Sequence, residues 1–155
     1  MTPTLRDKIA RARAVLAANP MGAVAGEVRA PAAVVPFHVR EQWDLFADLL
    51  AEVDGGRFGS VDIWSLAEYE AKQYPSVDFP GGRKRWLIIG QLLYEPMALE
   101  SKTGQLYLFK GDGDEDGEIL GDFDEFFADT VFGSRYAQVI ADGDKDEWWS
   151  VLRNL

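Results

Sequence analysis

Between Trp86 and Phe109 the chain reads WLIIGQLLYEPMALESKTGQLYLF, a pattern that predicts three strands. Trp86-Leu87-Ile88-Ile89 is apolar at successive positions, as a strand covered on both faces must be, and Gly90 admits a bend or bulge where the run ends. A strand containing Glu95-Pro96-Met97-Ala98-Leu99 and another over Gln105–Phe109 follow, joined by a tight turn at Ser101-Lys102-Thr103-Gly104. Glycine closing that turn accepts the positive φ that a turn matched to strand twist demands. The pattern predicts an antiparallel sheet in preference to a doubly wound parallel one.

Elsewhere the spacing is mostly helical. Leu5, Ile9, Val15 and Leu16 lie partly on one face of an Ala- and Arg-rich segment, predicting a helix from Thr4 or Asp7 to Ala18 that ends before Asn19-Pro20. Gly22–Pro36 is poor in charge and rich in Ala, Val and Pro, and reads as a packed connection with room for a short strand. From Phe37 to Val53, Val39, Trp43, Phe46, Leu50 and Val53 recur at three and four residues, widened by Leu45 and Leu49; this is an amphipathic helix that Asp54-Gly55-Gly56 is expected to cap. Val61-Asp62-Ile63-Trp64 reads as a strand. Ser65 and Glu68 have capping-box spacing, opening a short helix that Pro75 ends. Asp122 and Glu125 repeat that spacing ahead of Phe123, Phe126, Phe127 and Val131, with Gly133 as the stop. Ser134–Ile140 reads as helical, and a last helix opened by Asp144 places Trp148, Leu152 and Leu155 on one side.

Together these elements predict an α+β fold, with helices packed on a twisted, mainly antiparallel (mixed) sheet, as a single domain over residues 1–155. That length and 47% hydrophobic content suffice for one core without a metal or disulfide. The absence of cysteine excludes disulfides, thiolate nucleophiles and thiolate metal sites. No apolar run is long enough to span a bilayer, and the basic N-terminal segment lacks the apolar core of a secretory signal, so a cytoplasmic location is expected.

Charge changes the picture most. The formal net charge is −10, and it is unevenly placed: residues 1–40 hold six basic and two acidic side chains, whereas residues 111–147 hold two and thirteen. Clustered Lys and Arg are what phosphate backbones and anionic membranes require, so the balance argues against nucleic-acid or membrane partners and favours a basic protein. Excess acid also serves solubility alone.

An ordered set of motifs resembles the SUKH superfamily (Smi/Knr type) over roughly residues 37–140. The set comprises a helix followed by Val53-Asp54-Gly55-Gly56, the strand Val61–Trp64, and Trp86-x-x-Ile89-Gly90. Glu95-Pro96-Met97-Ala98-Leu99, Lys102-Thr103-Gly104-Gln105-Leu106-Tyr107 and Phe123-Asp124-Glu125-Phe126-Phe127 complete it. Two departures stand out. The Gly-Asp pair expected shortly after the Ile-Gly strand is replaced by Glu95-Pro96, and the leading Leu-Pro motif is represented only by Val35-Pro36-Phe37. The resemblance implies binding without catalysis: bacterial members are mostly immunity proteins that neutralise polymorphic toxins, often nucleases, by direct association, and fungal relatives regulate cell-wall synthesis, so a non-toxin interaction or regulatory module of the Smi/Knr type is the alternative. A nuclease presents cationic surface to its substrate, so clustered carboxylates can occupy that surface and speed association. Asp112, Asp114, Glu115, Asp116 and Glu118 are the expected partner-binding cluster, set against the alternative of a solvated acidic loop at Gly111–Gly117.

Other chemistries are thinly represented. His38 is the only histidine, standing near no nucleophile motif, which leaves no multi-histidine metal centre and a poor basis for a Ser-His-Asp triad. No phosphate-binding glycine loop occurs, and no cofactor is expected. Asp112-x-Asp114-x-Asp116-Gly117 copies the first half of an EF-hand loop, but position twelve is Phe123 where a bidentate Glu belongs, which leaves a calcium-binding domain as an alternative. Trp43, Phe46, Trp86, Phe126 and Phe127 stand at core spacings, whereas Trp64, Tyr69, Tyr74 and Phe79 are candidate partner anchors. Arg83-Lys84-Arg85 reads as a solvated start to a strand or an intramolecular counterpart to the acidic loop.

Overall fold

The computed structural model describes residues 1–19, 22–111 and 116–155. Within them seven strands form one sheet in chain order, β1 (Gly26–Val28), β2 (Gly56–Phe58), β3 (Val61–Ile63), β4 (Trp86–Leu92), β5 (Glu95–Glu100), β6 (Gln105–Leu108) and β7 (Glu118–Asp122). Every neighbouring pair is antiparallel, so the α+β architecture is a meander with no parallel pairing among the described residues.

The β4–β5–β6 centre follows the apolar pattern. Leu87 pairs with Leu99 and Leu99 with Leu106 on the main-core face, while Ile88, Ala98 and Tyr107 align on the other. The register slips between Ile88 and Gly90, where the bulge was expected. A β-carbon at Gly90 would lie 2.0 Å from the Asp62 carbonyl oxygen, so close approach of β3 requires glycine there. Gly104, at φ 71°, closes the β5–β6 turn, which is held by Gly104 N–H donating to the Glu100 carbonyl at 3.0 Å.

Helices cover one face. α1 (Pro3–Ala18) starts one residue before the earlier of the two expected positions, Thr4, with Thr2 as its N-cap and Pro3 in the first turn, and buries Leu5, Ile9 and Ala12. α2 (Gly22–Ala25) and β1 fill the connection that follows. The expected helix over Phe37–Val53 is two, α3 (Phe37–Gln42) and α4 (Asp44–Leu50), because Trp43 leaves helical dihedrals (φ −139°, ψ 61°). Trp43 N–H still donates to Val39 at 2.7 Å and Ala47 N–H to Trp43 at 2.9 Å, so the apolar stripe survives the break. Val39, Trp43, Phe46, Leu49, Leu50 and Val53 are all buried.

The Gly55-Gly56 pair does not cap that helix. The helix has ended by Ala51, Asp54 N–H joins the Ala30 carbonyl, and Gly56 opens β2. The Asp54 carboxylate accepts the Leu66 N–H at 2.7 Å instead.

The other face carries a smaller core of Trp86, Ile88, Ala98 and Phe109, packed by Phe79, Tyr107 and Trp64. It lies under two 3-10 turns, Tyr69–Lys72 and Tyr74–Val77, where a short helix was expected. Ser65 and Glu68 do pair, with Ser65 N–H and hydroxyl both donating to Glu68 at 3.1 and 2.7 Å, but the Ser65 oxygen caps no helix. A short helix α5 (Gly82–Arg85) leads into β4.

Asp122 caps α6 (Phe123–Glu125) by accepting the Asp124 and Glu125 N–H groups, and the chain continues as a π-helix over Phe126–Val131. α7 is confined to Tyr136–Val139. The final helix α8 (Glu147–Leu152) opens on Asp146, not Asp144, which belongs to a preceding 3-10 turn. The Asp146 carboxylate accepts the Trp148 N–H at 2.9 Å, a bond that Asp144 stands two residues too early to make.

Candidate partner-binding site

The acidic segment joins β6 to β7, and its described ends are firmly held. Phe109 is buried and stacks on Phe79 with ring centres 3.8 Å apart. Gly111 N–H donates to the Glu95 carboxylate at 3.1 Å, and Lys110 forms an ion pair with Glu118 across the base of the connection. Two adjacent strands therefore present both ends of the segment at one end of the sheet.

Of the five expected binding residues, Asp116 and Glu118 are exposed. Glu118 begins β7 and shares its charge with Lys110. Asp112, Asp114 and Glu115 lie outside the described residues, and so do two of the three carboxylates of the EF-hand-like half-loop. Among the described residues no group of three or more His, Asp or Glu side chains is placed to hold a metal ion.

Of the basic triplet, Arg85 is engaged within the sheet. Arg85 donates to Glu100 at 2.7 Å and lies over the Trp86 ring at 4.6 Å. Glu100 is almost fully buried; the Thr103 hydroxyl bond holds its carboxyl below the ordinary range, with Arg85 adding to that against the opposing effect of burial. The triplet thus lies within α5, and Arg85 anchors the start of β4 to the end of β5.

The aromatic candidates divide. Tyr69 is buried, with its phenol pushed up to about 12 by burial and by the neighbouring Glu70 carboxylate, and Phe79 belongs to the small core. Trp64 is half-buried under Lys72, whose ammonium sits 4.8 Å from the ring centre. Tyr74 is 70% exposed and keeps its availability for a partner.

His38 is also exposed, 3.9 Å from Glu70, on a concavity of about 370 Å³ lined by Trp43, Tyr69, Gln73 and Arg83. None of the residues lining that concavity is a serine or threonine.

One surface feature escaped the sequence reading. Leu93 and Tyr94 form the β4–β5 turn beside the acidic segment, and both have positive φ. The signal was present as a two-residue gap between strands, but it lacks the Asn, Asp or Gly that ordinarily marks such a turn.

Among the described residues no helix is long and apolar enough to cross a membrane. Comparison with protein-family models and with curated proteins finds no match to this chain.

Proposed function

We propose that this chain is a SUKH-like immunity protein, one that neutralises a toxin with a basic surface by binding it directly and performs no turnover of its own. The observation that carries this reading is the placement of charge: thirteen acidic against two basic side chains over residues 111–147, within a chain of net charge −10. Exposure of Asp116 and Glu118 at the end of the sheet supports it, since rim carboxylates act on a cationic partner through solvent-facing fields that accelerate encounter. The ordered motifs from Trp86-x-x-Ile89-Gly90 to Phe123-x-x-Phe126 support the SUKH assignment, and the cytoplasm is the location in which an immunity protein meets an incoming nuclease.

The test is co-expression. Products of the reading frames flanking the gene are expressed with and without this chain in a growth assay, and the rescued toxic product is used for binding. Changing Asp112, Asp114, Glu115, Asp116 and Glu118 together to Asn and Gln is expected to lower the association rate constant by at least about tenfold at low salt, with a smaller effect at high salt. Unchanged kinetics would remove the acidic cluster from the interface, and failure of every flanking product to be neutralised would remove the immunity role.

A further inference from the structure

The β4–β5 hairpin turns through Leu93 and Tyr94, at φ 51° and 72°. Leu92 pairs with Glu95, so these are the two central residues of a tight turn with positive φ at both. Asn and Gly suit such positions, whereas bulky side chains are strained there. The strain is held by the neighbouring strand connection, where Leu93 N–H donates to the Ser60 carbonyl at 3.0 Å. Nothing in the core repays it: Tyr94 is 88% exposed and Leu93 44% exposed. The turn is strained and displays two large side chains to solvent.

Beside the tip runs an apolar concavity of about 360 Å³, lined chiefly by Leu92, Leu93, Leu108, Leu120, Val139 and Ile140. Its polar boundary is Glu95, Lys110 and Glu118. Lys110 is occupied by Glu118, which leaves Glu95 as the unbalanced charge of the rim, and Asp116 stands exposed two residues from Glu118. The strand-to-strand connection that carries the acidic sequence therefore starts and ends at this concavity.

We propose that the Leu93-Tyr94 tip and the adjoining concavity are a docking site for a basic segment of a partner protein carrying apolar side chains. The tip residues and the Leu108–Ile140 wall receive the apolar groups, and the carboxylates of the rim receive Lys or Arg. Charge complementarity selects this occupant: the rim is anionic, and the whole chain repels an acidic partner or a second copy of itself. Tyrosine at the tip fits the role, since its rigid amphipathic ring supplies contact area at little entropic cost. The inference rests on the reading of this chain as a binder of a cationic protein, and it names the surface that supplies grip where the acidic segment supplies steering.

The experiment needs no toxin. A decapeptide of alternating Lys and Leu is titrated into the protein by calorimetry and by amide NMR, with Asp-Leu and Lys-Gly decapeptides as controls. Shifts are expected at Leu92–Glu95, Leu108, Val139 and Ile140, with Lys-Gly binding at least about tenfold more weakly and Asp-Leu not binding. The double change Leu93→Asn with Tyr94→Gly gives the turn its preferred residues, so it is expected to raise Tm by about 4 °C and to weaken the Lys-Leu peptide at least about tenfold. Tyr94→Ser, at a largely exposed side chain, provides a second measure that leaves the turn backbone in place, with an expected loss of at least about fivefold. Retained affinity in both variants, equal binding of Lys-Gly, or shifts confined to other surfaces would overturn the proposal. Loss of toxin neutralisation in the growth assay with the peptide site intact would instead count against the immunity role alone.

Discussion

Gln73 shows how one side chain can stand in for a strand. β3 has three residues and β4 seven, so the first half of β4 has no strand partner on that side. The Gln73 amide fills the gap: its Nε2 donates to the carbonyls of Tyr69 and Ile88 at 2.7 and 2.8 Å, and its Oε1 accepts the Ile88 N–H at 2.9 Å. Gln73→Leu would leave three buried backbone groups unpaired and is expected to cost about 3 kcal/mol in urea unfolding. Tyr136 is a second such point. Burial, reinforced by Asp146, raises its phenol well above the ordinary range; the hydroxyl donates to Asp146 at 2.6 Å and accepts the Ser60 N–H at 2.9 Å. Tyr136→Phe is expected to cost about 2 kcal/mol by the same measurement. Two of the carboxylates held low in the fold owe this chiefly to serine and threonine donors. The Ser65 hydroxyl and N–H hold Glu68 low, as Thr103 holds Glu100. Both therefore bind protons less readily when folded than when unfolded. Their stabilisation is present above the unfolded carboxylate range near pH 4.3 and is lost as pH falls through the lower folded values. Melting curves between pH 6 and 3 should show this decline, and the double change Glu68→Gln with Glu100→Gln should flatten it while lowering Tm at pH 6.

At the scale of elements, the short C-terminal helix depends on one side chain. Six residues do not form a stable helix alone, and α8 is held by Trp148, which is fully buried. Its indole packs on Phe58 and Phe132 at centroid distances of 5.4 and 5.9 Å and donates to the Val131 carbonyl at 2.7 Å. The helix thereby ties β2 to the end of the π-helix. Trp148→Ala is expected to cost about 4 kcal/mol, and Trp148→Phe about half of that, by urea unfolding. Amide exchange should report loss of protection in α8 ahead of the β4–β5–β6 centre, because the helix has few bonds of its own.

Over the whole molecule, ten unbalanced negative charges oppose compaction. Most described ion pairs, such as Arg40–Asp48 and Arg6–Glu52, are substantially exposed and add little stability. Raising NaCl from about 10 mM to about 1 M shortens the Debye length from ~30 Å to ~3 Å, removing long-range repulsion while leaving contact pairs less affected. Tm is therefore expected to rise with salt, whereas association with a cationic partner is expected to slow. A fall in Tm with salt would show that the exposed pairs outweigh the repulsion.

Local pattern was sufficient for the strand-rich centre, the bulge at Gly90, the turn at Gly104, the Ser65–Glu68 pairing, the cap at Asp122, and the buried faces of the helical segments. Each depends on neighbours a few residues away: alternation, helical period, or a side chain reaching its own backbone. The acidic character of residues 111–147 was equally legible, since it is a count of charges. Three-dimensional contacts decided the rest. Gly56 opens a strand because β1, from a distant segment, lies alongside it. Asp146 is a cap because Tyr136 and Ser60 converge on the same carboxylate. Arg85 pairs with Glu100 because Glu100 lies across the β4–β5 pair. Leu93 and Tyr94 read as ordinary apolar residues until strand pairing forces them into a tight turn, and that pairing is a property of the sheet that no local spacing contains.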